Sequence, residues 1–242
     1  MFYKQALARI RRSSLLVLPL LFLTSLISAD LDVQNTRRAL RRRSRQPPQF
    51  DFYILATFVN LTGHGLWPNN MDGSYPTNCG GARFNDSIPE QAIGMPVMTT
   101  YWPNFQYDVE DGGELYDNLW EHEWYKHGTC TGLDQYTYMT TTIAGITTAT
   151  PTLLGEMAAT AAAVSPPHPP SLPLPDLETA FGGPGMAVLL CNGKKYLTGV
   201  YTCWTKDSGT HKPYARMQCP PAVVAEGTCP KGGEVVVPIF KA

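Results

Sequence analysis

The apolar positions of the chain fall into two kinds of run. Phe50 to Ala56 (FDFYILA) is short, aromatic and β-branched, and Pro47-Pro48 bounds it upstream, which is the pattern of a mostly buried strand. Ala187 to Cys191, Lys195 to Tyr201 and Val235 to Phe240 read the same way, joined by turns that contain Gly. Glu114 to His127 differs: it lacks Gly and Pro, carries Leu115, Leu119 and aromatic residues at helical spacing, and stops at Gly128, so it predicts a helix. A second helix is expected from Thr150-Pro151 to about Ala163, with Pro at its start and Ala filling its body. Pro68 to Gly81 holds Asn69-Asn70, Asp72-Gly73 and Gly80-Gly81 and reads as a loop. The prolines from Pro166 to Pro175 predict a stiff, extended surface connection over about 165–175 rather than a packed element. Helices in the middle, strands around them and no internal repeat predict an α+β fold.

The first 49 residues break this pattern. Lys4, Arg9, Arg11 and Arg12 form a charged start, and Leu15 to Ile27 an apolar run of 13 residues interrupted by Pro19, Thr24 and Ser25. The small pair Ser28-Ala29 follows, as at a signal-peptide cleavage site, so residues 1–29 are expected to be a secretory leader. The run is too short for a membrane anchor, which needs about 20 apolar residues. Arg37, Arg38, Arg41, Arg42, Arg43 and Arg45 then crowd residues 30–49, where so few apolar positions remain that the segment should be solvated: a processed pro-segment or a flexible basic arm. The folded domain is expected over 50–242, and 43% apolar residues suffice for its core.

Charge changes the picture once it is divided along the chain. The whole carries −1, but ten of its 19 basic residues lie in the first 45 positions beside only Asp30 and Asp32, which leaves nine basic against 18 acidic from Gln46 onward, or −9. An acidic body has no general affinity for a nucleic-acid backbone, so any nucleic acid must be gripped locally. The 6 cysteines all follow residue 78, and an even number in a secreted chain points to disulfides. Zinc would want Cys-x-x-Cys or a Cys/His cluster, and no two of these cysteines stand closer than ten residues. Asn60-Leu61-Thr62 and Asn85-Asp86-Ser87 are sequons that offer Asn60 and Asn85 as glycosylation sites.

Three of the 5 histidines fall in two dense patches, Gly63-His64-Gly65-Leu66-Trp67-Pro68 and Trp120 to Cys130 (WEHEWYKHGTC). On a helix, Lys126, Glu123 and His127 lie roughly 40°, 100° and 140° round from His122, so four ionisable groups share one face. Two imidazoles, an ammonium and a carboxylate are an unusual way to make a solvated surface. Metal is disfavoured, because zincin histidines sit four apart whereas His122 and His127 are five apart and diverge. A nucleophilic triad is disfavoured too: no Ser or Cys sits in a nucleophile elbow, and Cys130 is expected to be bridged. No metal or cofactor is expected. Phosphodiester transfer within RNA needs neither metal nor protein nucleophile. One His takes the proton of the 2′-OH, another protonates the departing 5′-oxygen, and cations stabilise the phosphorane. His168, among prolines, and His211, in a Lys/Gly-containing turn, are expected on the solvent side.

His64-Gly65-Leu66-Trp67-Pro68 and His122 to Cys130 (HEWYKHGTC) resemble the two signature segments of the T2 ribonuclease family of secreted acid RNases. The likeness extends from Phe50 to about Phe240 through Asp72-Gly73-Ser74-Tyr75-Pro76 and Tyr101-Trp102-Pro103. It implies an α+β fold with a central antiparallel sheet flanked by helices, stapled by Cys79–Cys130, Cys191–Cys229 and Cys203–Cys219. It also implies His127 as general base, His64 as acid, Glu123 and Lys126 as stabilisers of the pentacovalent phosphorus, and His122 as a phosphate holder. Trp67 and Tyr75 resemble the aromatic walls of the base pocket; core packing beside Pro68 is the bland reading of Trp67. The expected activity is cleavage of single-stranded RNA to 2′,3′-cyclic phosphates and then 3′-phosphates, by a monomer that leaves DNA and membranes alone. The protein would be secreted or routed to a vacuole or lysosome. An acidic optimum is expected, the acidic body helping to keep the imidazoles charged.

The likeness has gaps. Relatives carry an aromatic, cysteine-containing segment between the first strand and His-Gly-Leu-Trp-Pro, where this chain has only Thr57 to Gly63, a connector still long enough for a hairpin. Leu119 replaces a frequent aromatic, and Thr140 to Thr150 lacks the Leu-rich helix usual there. Two other readings therefore stay open: a catalytically impaired T2-like protein acting in binding, storage or defence, and a disulfide-rich carbohydrate- or protein-binding module.

Overall fold

The computed structural model describes residues 49–103, 117–148, 171–193 and 195–238, all within the unit that begins at Pro47. The expected leader, the basic segment up to residue 48, the helix over 150–163, the prolines 166–170 and His168 lie outside these residues.

Strand β1 (Phe52–Phe58) is central in a five-stranded antiparallel sheet, between β2 (Gly63–Asn69) and β5 (Leu197–Lys206), with β4 (Ala187–Cys191) and β6 (Pro213–Met217) both on β5. Its residues are apolar without alternation because both faces are covered. Tyr53 and Leu55 pack with Leu66, Trp102, Leu119, Trp120 and Trp124, while Phe52 and Ile54 pack with Val188, Cys203 and Val223. Leu119, the residue in place of a frequent aromatic, is 1% exposed in the first of these clusters.

The short connector closes as a hairpin. Phe58 N–H donates to Thr62 O (2.9 Å) and Leu61 N–H to Phe58 O (2.8 Å), with Leu61 left-handed at φ 61°. Leu61 is 4% exposed, packed in a cluster with Phe181, Leu189 and Val200, so a tip that sequence offers to solvent is pinned to the core. Asn60 Oδ1 accepts from Thr62 Oγ1 at 2.7 Å in the same tip, and Asn85 is exposed.

Several boundaries differ from the sequence reading. β2 runs through Pro68 to Asn69, where a loop was expected, because it is an edge strand and a missing N–H costs no ladder bond on its open side. Helix α1 (Met95–Tyr101) follows a π-helical turn Ile88–Gly94, and α2 (Asp117–Lys126) ends one residue before His127. Helix α3, residues 135–148, is regular despite its threonines. Thr140 and Thr142 return their hydroxyls to the carbonyls of Tyr136 (2.7 Å) and Tyr138 (2.9 Å), while Met139, Ile143 and Ile146 fill the core without leucine. The proline-rich connection stays largely exposed at Ser171, Pro173 and Pro175 and extended over Ser171 to Pro173, but there it is paired as a strand. β3 (Ser171–Pro173) pairs with β7 (Glu234–Val236), and α4 (Leu174–Ala180) carries Pro175 in its first turn, where a missing N–H costs no helical bond. The last strand is thus shorter than Val235 to Phe240, and residues from 239 lie outside the description. A short helix α5 (Pro221–Val224) precedes β7.

All three implied disulfides are present: Cys79–Cys130, Cys191–Cys229 and Cys203–Cys219, closing separations of 51, 38 and 16 residues. His211 is half-buried rather than solvent-facing, at φ 61°, and its carbonyl accepts from the Tyr53 hydroxyl at 2.5 Å.

Candidate active site

Strand β2 and helix α2 bring the two histidine patches together. In the β1–β2 ladder Ala56 faces Gly65 and Thr57 faces Gly63, so His64 is an extra residue in a β-bulge. Strict alternation would set its side chain on the same face as Leu66, in the core; the bulge re-aims it. Trp102 Nε1 holds the bulge by donating to His64 O at 3.0 Å. The His64 ring stacks on Phe58 (centroids 4.8 Å apart) and meets Trp67 edge-on at 5.1 Å.

Helix α2 is anchored from behind by Trp120 and Trp124, whose indoles donate to Trp102 O (2.8 Å) and Ala82 O (3.0 Å). Its polar face is not uniform: Glu123 is 1% exposed and His127 4%, whereas His122 is exposed and Lys126 half-buried. His127 follows the helix but keeps its rhythm, its N–H donating to Glu123 O at 3.0 Å. Tyr138 in α3 clamps the two patches, its hydroxyl donating to Leu66 O (3.2 Å) and lying 3.4 Å from Glu123 O. The Cys79–Cys130 bridge and the Asn78 N–H to Lys126 O bond (3.0 Å) tie the loop after β2 to the end of α2.

All seven predicted residues, His64, Trp67, Tyr75, His122, Glu123, Lys126 and His127, line one pocket of about 250 Å³. Trp67 is neither buried in the core nor free. Its Nε1 donates to Glu123 Oε2 at 2.7 Å, and its ring stacks over His127 (5.1 Å, 23° between planes). Tyr75 is 51% exposed at the mouth, its ring 6.3 Å from His127. His64 Nε2 lies 3.6 Å from Glu123 Oε1. Gly65 makes this packing possible, since a Cβ there would sit 1.9 Å from Glu123 Oε2. Four lining residues were missed: Ile54, Asn69, Tyr201 and Glu226. Asn69 was missed because Pro68 onward read as a loop; in the structure it lies two residues along from Trp67 on one strand face. The others come from strands or turns brought in by pairing, such as Ala56 with Tyr201, and carry no local signal.

Burial dominates the electrostatics and drives each group toward its neutral form. Desolvation, with the charges of His122 and Lys126 adding, lowers His64 to about 4. Desolvation lowers His127 to about 3, helped by Lys126, His122 and His64. Glu123 rises to about 8 because burial outweighs its bond from Trp67 and the charge of Lys126. His122 is lowered by desolvation and by Lys126. The acidic body therefore does not keep the imidazoles charged, as the composition suggested; local burial overrides it. His127 Nδ1 is buried with no hydrogen-bond partner among the described residues. No group of three or more His, Cys, Asp or Glu among those residues could hold a metal. Three imidazoles, a carboxyl and an ammonium around one small pocket can exchange two protons and hold one anion.

Comparison with known proteins bears on the family and the fold. The model of the Ribonuclease T2 family matches residues 54–214. Intracellular ribonuclease LX of Solanum lycopersicum is 34% identical over 111 residues, 45% of this chain and 40% of that protein. Ribonuclease 1 of Arabidopsis thaliana is 34% identical over 144 residues, 54% of this chain and 56% of that protein. The chain thus spans about half of the length of the curated relatives it matches. The crystal structure of RNase NT in complex with 5′-AMP has a TM-score of 0.59 to this fold, at 21% identity, covering 80% of this chain and 100% of that one.

Proposed function

The chain belongs to the ribonuclease T2 family, and from that premise we propose that it is an endoribonuclease that cuts single-stranded RNA by transesterification. The observation that carries the reading is the pair of imidazoles, His64 and His127, on one pocket with Lys126, His122 and Glu123 between and beside them.

Neutral His127 takes the 2′-OH proton, the 2′-oxygen attacks phosphorus, and protonated His64 gives its proton to the leaving 5′-oxygen. The product is a 2′,3′-cyclic phosphate, which water opens to a 3′-phosphate with the two roles exchanged. The nucleophile belongs to the substrate, so DNA, which lacks the 2′-OH, is inert. A carboxylate beside a phosphorane would repel it. Glu123, held neutral by burial up to about 8, can instead donate a hydrogen bond to a phosphoryl oxygen, while Lys126 and His122 supply positive charge. Trp67 and Tyr75 offer flat faces to the base at the scissile nucleotide, a contact that tolerates any base. The signal-like start and the three disulfides support a secretory route.

A second reading, a T2-like protein that binds without cutting, rests on one observation: only 4% of His127 is exposed beneath the Trp67 indole. A cleavage assay on purified protein separates the two. His64→Phe and His127→Phe should each lower the rate by roughly 10²–10⁴-fold, and the double variant by less than the product of the two, as for groups acting in one step. EDTA should change nothing. Near-UV circular dichroism run in parallel checks that each protein is folded. Folded wild type that releases no cyclic phosphate from RNA between pH 3 and 8 would leave the binding reading standing.

A further inference from the structure

Four residues line the pocket without a part in the proton transfers: Ile54, Asn69, Tyr201 and Glu226. None belongs to α2, whose Lys126 and His122 would hold the phosphate. Glu226 is the unexpected one, because a carboxylate has no use beside a phosphodiester. It is also firmly held. Cys219 and Cys229, ten residues apart, are each bridged to a strand of the sheet, Cys219 to Cys203 on β5 and Cys229 to Cys191 on the neighbouring β4. Between these staples Val223 is fully buried against Phe52 and Ile54, and Glu226 N–H donates to Val223 O at 3.0 Å. A Cβ on Gly73 would lie 2.9 Å from that of Ala222, which sets α5 against the loop that leads to Tyr75.

We propose that Glu226 selects guanine at the nucleotide whose 2′-OH reacts, its carboxylate accepting the N1–H and N2–H of the base in a pair of hydrogen bonds. The proposal rests on the ribonuclease reading and adds a base preference that the flat faces of Trp67 and Tyr75 do not supply.

The Glu226 carboxylate accepts no hydrogen bond and makes no ion pair among the described residues, although it lines a pocket. It lies near the base: burial first, then the charge of Glu226, raises the Tyr201 hydroxyl, and the Tyr201 ring meets the Trp67 indole edge-on at 5.2 Å. The charges set a direction. Lys126 and His122 draw the phosphate toward α2 and Glu226 repels it, so the base is the part that meets the carboxylate. In single-stranded RNA the Watson–Crick edge is open, and guanine alone carries two adjacent N–H donors there, matched to the two oxygens of a carboxylate. Adenine and cytosine place a ring acceptor beside their amino group, and uracil flanks its one N–H with carbonyls, so each sets a lone pair against Glu226. Asn69 agrees with guanine: its Oδ1 is taken by Asn70 N–H at 2.9 Å, which leaves Nδ2 to donate, as O6 of guanine requires and the amino group of adenine does not.

The test is cleavage of dinucleoside phosphates that share a uridine leaving group: GpU, ApU and IpU, the last carrying inosine, which lacks the 2-amino group. The assay is run at pH 7, because burial lifts the Glu226 carboxyl above its ordinary value and the pair needs it ionised. In wild type kcat/KM for GpU should exceed that for ApU by about 5- to 150-fold, the range expected of one well-made pair of hydrogen bonds, with IpU between them. Glu226→Gln, whose amide puts a donor where guanine needs an acceptor, should bring GpU and ApU close to parity. A ratio taken within one variant cancels differences in folded fraction. A wild-type ratio kept in Glu226→Gln, or no guanine preference in wild type, overturns the proposal and leaves Glu226 an ordinary surface carboxylate. Calorimetric binding of 3′-GMP and 3′-AMP separates this outcome from failure of the ribonuclease reading. If wild type cuts nothing but prefers 3′-GMP, and Glu226→Gln does not, the ribonuclease reading fails and base selection stands. If it cuts RNA and binds the two nucleotides equally, base selection alone fails. If it neither cuts nor binds, both fail.

Discussion

Gly65 shows how tightly the site is drawn at the level of single residues: no side chain fits there, because the space belongs to the Glu123 carboxyl and the Trp67 indole. That closeness produces the pKa shifts, and the shifts make a prediction. With His127 as base and His64 as acid, as proposed, the free protein would need His127 neutral, which holds above about 3, and His64 protonated, which holds below about 4. The kcat/KM profile should therefore be a bell on the acid side, its acid limb set by His127 and its alkaline limb by His64. A bound phosphate beside both rings favours their charged forms, so the kcat profile should lie at higher pH than that of kcat/KM. Initial rates from pH 2.5 to 8 check this. A kcat/KM that climbs steadily beyond pH 7 contradicts it. Lowered imidazoles, not an acidic exterior, would be the cause of such an acid optimum.

At the scale of elements, the site is a joint between an edge strand and a helix end. β2 supplies His64 and Trp67, α2 supplies Glu123, Lys126 and, just past its last turn, His127. The Cys79–Cys130 bridge and Asn78 N–H span the joint on one side, and the Tyr138 hydroxyl on the other. Replacing Cys79 and Cys130 together by Ser should lower stability by about 2–5 kcal/mol, read from chemical denaturation of the purified protein. It should also raise KM more than it lowers kcat, because the loop bearing Tyr75 loses its tie to α2 while the bulge that aims His64 keeps its own bond from Trp102. Equal stability with and without the bridge would mean that the packing of Trp124 and Tyr138 fixes this joint alone.

For the whole molecule, the proposed function asks a negatively charged body to bind a negatively charged substrate. Few cations face the site: Lys126 and, when protonated, His122 and His64. Counterion release should be correspondingly small. With about two phosphates neutralised, log affinity for single-stranded RNA should fall with log salt at a slope of about −1.4. A titration of binding from 25 to 400 mM NaCl measures it; a slope steeper than about −4 would demand a basic surface that the described residues do not present. A basic arm remaining in the chain would also steepen the slope, so the same titration on protein with and without residues 30–49 isolates its contribution.

The sequence by itself determined the chemistry and much of the framework. Six of the seven candidate residues could be named from two short patches, since a strand and a helix keep neighbouring residues together whatever the rest of the chain does; Tyr75, outside both, was named from the family resemblance. β1 and α2 were legible for the same reason: their hydrophobic patterns are local. What pairing and packing decided was not local. His64 reaches the pocket only because a bulge against Ala56 and Thr57 turns it from the core face, and no pattern in GHGLWP marks that extra residue. Pro68 could remain in a strand only because β2 lies at the sheet's edge. Ser171 to Pro173 became a paired strand because β7, some 60 residues later, runs beside it. Tyr201 and Glu226 entered the site through sheet order and a distant turn, and burial, which depends on everything packed around a residue, set the protonation of His64, Glu123 and His127. Residue types fix what chemistry is available; desolvation and long-range pairing, which no short stretch encodes, fix which protons are held and where they can go.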